Sequence, residues 1–516
     1  GTSGKVSDEK FPVMKKIVFT LIILFLCMGL KSQNINGYIV SDTGNLTVVK
    51  VWGNHYERGF AYGYLCAAKI IDMMNNYVIP QFGSYLPQAR LVIQQGTSLI
   101  IDSVYYQEAR GVIDGMDSSG QNIGSLSYLD ILVANCLLDL ASIAGLKADM
   151  GCSSLMSWGA ATAGTDLNGK SVISRHLDWA VITTLINNQV IVVHIPSEPD
   201  EQPWALIGFA GQISALSGIN RHMGVFQQMM SDFSGNGSLY QGYEPTWFSI
   251  RKALEKADYN NDGVNNTKDM CDILSAHTMG YADGYIITML AASTNTAPGL
   301  IAQVAEVAPY SPTITLRGSE FPDSIQSDNL YAANYEIKRN NHYHFCLRYI
   351  RSMHGVDNGL NIGTQRNWQI LRDSSNSGPN NIQLMQYIPD DKVLNISVYK
   401  HGKAAYRNNP VTLDMSDLFT NTSVANSKNT NDEECVLYPN PVKQRLYITI
   451  PDFNNKVFGF EIFDINGKKT DVTYNYTYTK GHIVIQANTG QLKTGIYTCR
   501  FITGNFTTVK KFIKTY

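Results

Sequence analysis

The chain has 516 residues, a formal net charge of -2, and is 44% hydrophobic against 16% charged. That length allows two or three domains and the composition allows a large buried core, which excludes global disorder. A charge so near balance gives no electrostatic case for binding nucleic acid. The 29 Tyr and 42 Gly point to many strands and turns.

Met14-Lys15-Lys16 and the apolar run over 17–30 are predicted to be a secretory signal, because the run is short for a bilayer and ends at Lys31-Ser32-Gln33. Residues 1–13 precede this candidate start. Cys27 follows Leu24-Phe25-Leu26, which lacks the small residue of a lipoprotein signal, so soluble export with no membrane-spanning segment after signal removal is expected. Of the 8 cysteines, those other than Cys27 are Cys66, Cys136, Cys152, Cys271, Cys346, Cys435 and Cys499. Odd in number and widely scattered, they make neither a disulfide framework nor a zinc site. A free thiol in an exported protein needs a purpose, and nucleophilic chemistry is one.

Residues 34–52 read as one or two strands, clearest at Thr47-Val48-Val49-Lys50-Val51-Trp52. After Gly53-Asn54-His55 the pattern turns helical as far as Met74, with Gly59 and Gly63 on one face where another element can approach closely. Two more helices are predicted over 106–115 and 126–138. The pattern returns to strand at Gly151-Cys152-Ser153-Ser154-Leu155, and Asn168-Gly169 signals a two-residue hairpin turn. That hairpin is expected to bring Arg175 and Asp178, within Ser174-Arg175-His176-Leu177-Asp178-Trp179, back alongside Cys152.

A thiol beside a fixed guanidinium favours the reactive thiolate, and a nearby carboxylate can hold an amine or a proton donor in place. Gly151 leaves its carbonyl open to attack by the Cys152 thiol. Cleavage there makes Cys152 an N-terminus whose α-amine, with an unperturbed pKa of about 7.7–8.0, is a base for its own thiol. The competing reading is a buried structural cysteine in a hairpin.

Gly-Cys-Ser-Ser, the Asn-Gly turn and Ser-Arg-His-Leu-Asp-Trp together resemble the N-terminal-nucleophile hydrolases of the penicillin acyltransferase family, whose relatives include bile salt hydrolases. Upstream, Tyr56 to Leu65, Glu108-Ala109-Arg110-Gly111-Val112 and Leu129-Asp130-Ile131-Leu132-Val133-Ala134-Asn135 resemble the family's landmarks in the expected order. The resemblance covers about residues 50–419 and implies that residues 34–151 are the piece self-cleavage separates from the catalytic chain.

Further strands follow at 189–195 and 204–209, and then Ser217-Gly218-Ile219-Asn220-Arg221-His222-Met223-Gly224-Val225. This resembles a family turn whose asparagine polarises the substrate carbonyl; by itself Asn220 reads as an ordinary turn residue. Residues 258–269 place Asp258, Asn260, Asp262 and Asp269 at loop positions 1, 3, 5 and 12, with Gly263 at 6 and the Val264 carbonyl at 7. Set between helices at 249–257 and 269–277, this is the calcium-loop pattern, closed by Asp as in dockerin-like loops. A solvated Asn/Asp turn is the other reading. Ala333-Asn334-Tyr335 stands where the family carries Thr-Asn-His, and Arg348 and Arg351 follow on a helix, with His342 and His344 upstream as surface or packing residues. Strands at 382–388 and 393–399 close the domain, which ends at Leu418-Phe419.

Residues 420–435 are polar and aperiodic and read as a linker. Beyond them Leu437-Tyr438-Pro439-Asn440-Pro441-Val442, the hairpin at 461–468, Leu492-Lys493-Thr494-Gly495-Ile496-Tyr497 and the lysine-rich end at 510–514 closely resemble the C-terminal sorting domain of type IX secretion cargo. Whether Cys435 pairs with Cys499 is left open.

The sequence thus predicts an α+β chain: residues 1–33 as N-terminal extension and signal, an αββα sandwich domain over 34–419, a linker, and a small all-β sandwich over 436–516. Its partners are a small-molecule amide and the type IX secretion machinery, with export through the periplasm of a Bacteroidota-like bacterium. Catalysis needs no cofactor; the metal in prospect is a structural calcium. The family resemblance implies Cys152 as nucleophile through a thioester, Arg175 and Asp178 as tuning and orienting groups, Asn220 and Asn334 as carbonyl donors, and Arg348 as a structural or substrate-binding partner. The alternative is a surface-anchored binding protein whose enzyme fold has lost its chemistry.

Overall fold

The computed structural model describes residues 1, 35–143, 151–229, 241–320, 325–339, 346–373, 377–420, 436–451, 457–464, 468–479, 482–503 and 507–515. The signal reading at 14–30, His342, His344, the linker from 421 and Cys435 fall outside them. The chain divides into two units, one ending at Asn421 and the other beginning at Thr422.

The first unit is built on two sheets. Nine strands lie in the order β1 (Gly37–Asp42), β2 (Leu46–Gly53), β5 (Gln189–Pro196), β6 (Trp204–Phe209), β7 (Ser217–Asn220), β8 (Met223–Met229), β9 (Tyr285–Ala291), β10 (Ala302–Val307), β11 (Ile314–Arg317). Six lie in the order β12 (Asn329–Ala332), β3 (Gly151–Ser157), β4 (Val172–Asp178), β13 (Asn381–Ile388), β14 (Val393–Val398), β15 (Val411–Asp414). Strand alternation divides their side chains between layers. Val48, Ile191, Val193, Ile207 and Phe226 of the larger sheet meet Met156, Ile173, Met385 and Tyr387 of the smaller in one buried cluster. Val49, Val51, Val190 and Leu206 turn the other way, against helices α1 (His55–Met73), α2 (Leu86–Gln95), α3 (Ser103–Ser118), α4 (Tyr128–Asn135), α5 (Leu137–Ile143), α6 (Thr246–Glu255) and α7 (Thr267–Ala276). Leu155, Tyr331 and Leu384 face α8 (Leu347–Val356) and α9 (Thr364–Arg372) on the far side. Helices, sheet, sheet and helices are the four layers the sequence led us to expect.

α1 begins with a reciprocal cap. Asn54 accepts from the Glu57 N–H at 3.0 Å and Glu57 accepts from the Asn54 N–H at 2.9 Å. It crosses α3 backbone on backbone: a Cβ on Gly59 would sit 2.2 Å from the Glu108 carbonyl oxygen, and one on Gly63 2.0 Å from that of Val112. Gly111 and Gly115 answer from α3, at 2.3 Å from the Tyr56 oxygen and 2.1 Å from the Phe60 oxygen.

Two local expectations change. The helix expected over 126–138 breaks at Cys136, between α4 and α5. There the Asn135 amide donates to Gly211 O at 3.0 Å and accepts from the Ile213 and Ser214 N–H groups at 2.7 and 2.8 Å, a tertiary tie to the larger sheet. The Asn168-Gly169 turn is present, with φ of 48° and 86°. It closes within a longer connection over 158–171 that includes one helical turn, Gly159–Thr162, so β3 and β4 are not joined by a two-residue hairpin.

The second unit is all β. One sheet runs β16 (Val436–Tyr438), β17 (Arg445–Pro451), β21 (His482–Asn488), β20 (Tyr474–Thr479); the other runs β19 (Lys469–Thr470), β18 (Val457–Asp464), β22 (Gly495–Thr503), β23 (Thr507–Lys514). Leu446, Ile448 and Ile485 from the first meet Phe460, Ile462, Cys499 and Phe512 from the second in a single core.

Candidate active site

Cys152 is the second residue of β3 and is fully buried. Antiparallel pairing sets Gly151 opposite Asp178, Cys152 opposite Leu177 and Ser154 opposite Arg175. Arg175 therefore shares the Cys152 face of the sheet, directed at the larger sheet, and Asp178 takes the opposite face. The Arg175 guanidinium spans both sheets: Nη1 donates to Ser217 Oγ at 2.7 Å, and Nη2 donates to Gln227 O at 2.8 Å and to Cys152 Sγ at 3.4 Å. Burial pulls Arg175 below its usual pKa, and the Cys152 sulfur opposes that shift. A pinned guanidinium on the sulfur is the setting that favours thiolate.

Asn334 lies just past β12, whose pairing places Ala332 opposite Ser154. Its Oδ1 accepts from the Cys152 backbone N–H at 3.3 Å and from Arg348 Nη1 at 3.4 Å. Arg348, in the first turn of α8, also pairs with Asp178 Oδ2. Its guanidinium lies against Gly151, where an added Cβ would stand 2.8 Å from Nη1, so no larger residue fits there undisturbed. Burial raises the pKa of Asp178, and Arg348 works against it. Cys152, Arg175, Asp178, Asn334 and Arg348 thus converge on one junction, the Gly151–Cys152 bond.

Asn220 does not join them. Its amide donates to Leu254 O at 2.9 Å and Asn265 Oδ1 at 2.8 Å, while its oxygen accepts from the His222 and Met223 N–H groups, both at 2.8 Å. It stands three residues along β7 from Ser217, roughly 10 Å at the rise of a strand. The structure makes it a turn residue. Ser217 and Gln227, which hold Arg175, carried no sequence signal that marked them. Nor did Glu306, whose carboxylate collects the N–H groups of Ile337, Lys338 and Arg339 at 2.7 to 3.1 Å and so fixes the segment after Asn334.

The loop at 258–269 has the backbone of the calcium pattern. Asn261 and Gly263 take φ of 58° and 93°. Its oxygens are turned onto its own N–H groups: Asp258 accepts from Asp262 at 3.1 Å and Gly263 at 2.8 Å, Asp262 from Val264 at 3.1 Å, and Asp269 from Tyr259 at 2.7 Å and Asn266 at 2.8 Å. Burial raises the Asp269 pKa, those N–H groups lower it, and the Asp262 and Asp258 charges push it up again. Were the loop to take a calcium ion, Asp258, Asn260, Asp262, the Val264 carbonyl and Asp269 are the groups that would hold it.

A second charged cluster lies under α1. His55, Glu201 and Glu255 offer ligand atoms within 4.8 Å of one another. Two buried guanidiniums already supply positive charge there, with Arg58 on Glu201 at 3.1 Å and Arg251 on Glu255 at 2.8 Å, so the cluster reads as an ion-pair network and not a metal site.

Residues 436–515 match the family described as the secretion system C-terminal sorting domain. The tail thus marks the chain as type IX secretion cargo, directed to the cell surface or the medium in Bacteroidota. No helix among the described residues is long and apolar enough to cross a membrane. Among curated proteins, Protein dcd1B of Dictyostelium discoideum is 23% identical over 259 residues, covering 45% of this chain and 48% of that protein. Protein dcd1A of the same organism is 20% identical over 259 residues, covering 44% and 54%. The chain spans about half the length of the curated relatives it matches. Among solved structures, a Caenorhabditis elegans N-acylethanolamine-hydrolyzing acid amidase ortholog is similar at 13% identity and a TM-score of 0.34, covering 51% of this chain and 100% of that one. A mutant of the conjugated bile acid hydrolase from Clostridium perfringens is similar at 11% identity and a TM-score of 0.31, covering 52% and 94%.

Proposed function

We propose that the first unit is an exported cysteine amidase of the N-terminal-nucleophile type, which cuts its own chain before Cys152 and then cleaves a small amide. The observation that carries this is the gathering of Arg175, Asp178, Asn334 and Arg348 about the Gly151–Cys152 bond. In the first reaction Sγ attacks the Gly151 carbonyl, an S–C bond replaces the C–N bond, and the departing nitrogen takes the thiol proton. Water then releases the Gly151 carboxylate and leaves Cys152 with a free amine. In the second, that amine takes the thiol proton, the thiolate adds to the substrate carbonyl with Asn334 donating to the oxyanion, and the amine product leaves with the proton. Water hydrolyses the thioester. Asp178, opposite Gly151, holds the new ammonium, and Arg348 frames the site. Water is the expected acceptor for an exported enzyme, so hydrolysis is favoured over acyl transfer.

Intact mass should show two fragments divided between Gly151 and Cys152, with Cys152→Ala left whole. Cut protein should hydrolyse members of a panel of N-acyl amines and N-acyl amino acids. Uncut wild type that hydrolyses amides would overturn the self-processing half; cut protein inert on the whole panel would leave the binding-protein alternative.

A further inference from the structure

Beneath Asp178, on the helix-covered face of the smaller sheet, lies a polar column that the reaction above does not use. Strand pairing sets Ser153 opposite His176, and the two-residue period of β4 puts His176 and Asp178 on the same face. Ser153 Oγ and His176 Nδ1 are 2.8 Å apart, and both residues are fully buried. His176 Nε2 stands 3.8 Å from Asp178 Oδ2 and has no hydrogen-bond partner among the described residues. Burial, with the Arg348 and Arg175 charges adding to it, holds the imidazole well below its usual pKa, so it is neutral and carries one N–H.

Where that hydrogen sits follows from its neighbours. On Nδ1 it would donate to Ser153 and leave the Nε2 lone pair facing a carboxylate. On Nε2 it faces the Asp178 oxygen, and Ser153 donates its hydroxyl hydrogen to Nδ1. The second arrangement gives Nδ1 a donor and turns the N–H dipole toward the carboxylate 3.8 Å away; the first turns a lone pair toward that negative charge in a buried space, which is unfavourable. Ser153 turns to the face of β3 opposite Cys152, away from the sulfur, so this serine–histidine–aspartate row supports the site and is not a second nucleophile.

We propose that His176 is a positioning residue: its Nε2–H, directed at Asp178 Oδ2 from 3.8 Å, steadies the carboxylate by its dipole, and the Ser153 hydroxyl fixes the tautomer that lets it do so. Asp178 then meets Arg348 and His176 besides the Asn381 amide. Arg348 comes from α8 with its side chain 27% exposed, where a substrate can compete for it. His176 is sealed and stays. The carboxylate that receives the Cys152 ammonium therefore keeps its place when Arg348 is drawn to substrate. This rests on Cys152 being the nucleophile; the tautomer does not.

The first measurement is the nitrogen-15 spectrum of histidine-labelled wild type, with the His176 signals assigned by their loss in His176→Gln. The expected result is a neutral ring protonated at Nε2 from pH 8 down to pH 5; an Nδ1–H tautomer or an imidazolium there overturns the proposal. The second compares the pH profiles of turnover on a cleaved N-acyl amide and of Cys152 alkylation in wild type, Ser153→Ala, His176→Gln and His176→Leu. His176→Leu should lose about fivefold in kcat, within the range of one modest polar contact, with KM held within about twofold and the acid limb displaced. His176→Gln, which can still donate, should recover most of the loss. A leucine variant with wild-type rate and profile overturns the positioning role and leaves the nucleophile standing. A wild type whose Cys152 neither reacts nor turns over sinks the nucleophile reading and the positioning role built on it, while the tautomer result stands by itself.

Discussion

At Cys152 the deciding quantity is the positive charge that Arg175 brings to the sulfur at 3.4 Å, held there by Ser217 and the Gln227 carbonyl. Arg175→Met keeps most of the volume and removes the cation. Alkylation of Cys152 at pH 7 should slow by about tenfold or more, because each pKa unit gained by the thiol is tenfold in thiolate. An unchanged rate would remove Arg175 from the mechanism. Arg175→Lys should not rescue, since one ammonium cannot serve Ser217, Gln227 and Cys152 together. Asp139, in α5, is a different buried acid. Burial raises its pKa to about 7, against hydrogen bonds from Thr246. A carboxyl whose folded value lies above its unfolded value near 3.8 adds stability as pH falls from 7 toward 4 and costs stability once ionised. Asp139→Asn should therefore raise the melting temperature at pH 8.5, by about 2–4 °C per kcal/mol regained, and lose that advantage by pH 4. A gain that is the same at both pH values would mean that Asp139 does not titrate in this range.

Elements explain which parts of the site could be read in advance. Arg175 and Asp178 could be placed beside Cys152 because antiparallel strands convert sequence spacing into spatial order. The Asn-Gly pair was read correctly as a turn and wrongly as the whole connection, because a turn signal does not measure the loop around it. Ser217 and Gln227 reach Arg175 from the other sheet, and no local pattern encodes which strands will face each other. Asn220 resembled a functional motif, yet its partners are a helix carbonyl and Asn265, both supplied by tertiary structure. The α1–α3 crossing was foreseen only in part, as Gly59 and Gly63 without their answering glycines. Gly63→Ala should cost about 1–3 kcal/mol from overpacking against the Val112 backbone, seen as a lower urea midpoint. Gly299→Ala, with nothing within 4 Å of the added carbon, is the control; equal effects would deny the close crossing. The loop at 258–269 gives an element-scale test of calcium. Wild type should melt higher with calcium than with chelator, because the ion binds the folded form, and Asp262→Ala should abolish the difference. No calcium dependence in wild type would return the loop to a solvated turn.

For the whole molecule, the proposed function assigns catalysis to the first unit and leaves sorting to the second. Truncation after Phe419 should leave turnover on amides intact while trapping the protein in the periplasm; a truncated protein that folds and loses activity would give the second unit a catalytic part. Within the first unit, the segment before Cys152 is built in rather than laid on. β2 runs parallel to β5 inside the larger sheet. Below it His55 bonds Glu108 at 2.8 Å and Glu201 at 3.0 Å, Arg58 bonds Glu198 at 2.8 Å, and Arg251 bonds Glu108 at 2.6 Å. Burial would lower the His55 pKa, but the two carboxylates outweigh it and hold it at about 9. A folded value above the unfolded 6.5 means that its stabilisation is complete below 6.5 and lost as pH rises through 9. Burial opposes ionisation of Glu201 too, yet His55 and the arginines bring it to about 2, so its share is present above 4.5 and fades in strong acid. Cleavage before Cys152, as proposed above, would turn the His55–Glu201, Arg58–Glu198 and Arg251–Glu108 bonds into contacts between two chains, and the molecule would acquire a memory of how it was made. The single chain finds its fold by a first-order search, whereas the cut pair must first collide. Refolding from urea should be independent of concentration for uncut Cys152→Ala and fall in yield on dilution for the processed enzyme. If the chain is cut as proposed, the pair once unfolded in a dilute exterior would have almost no way back, and its working lifetime would be set by how slowly it opens.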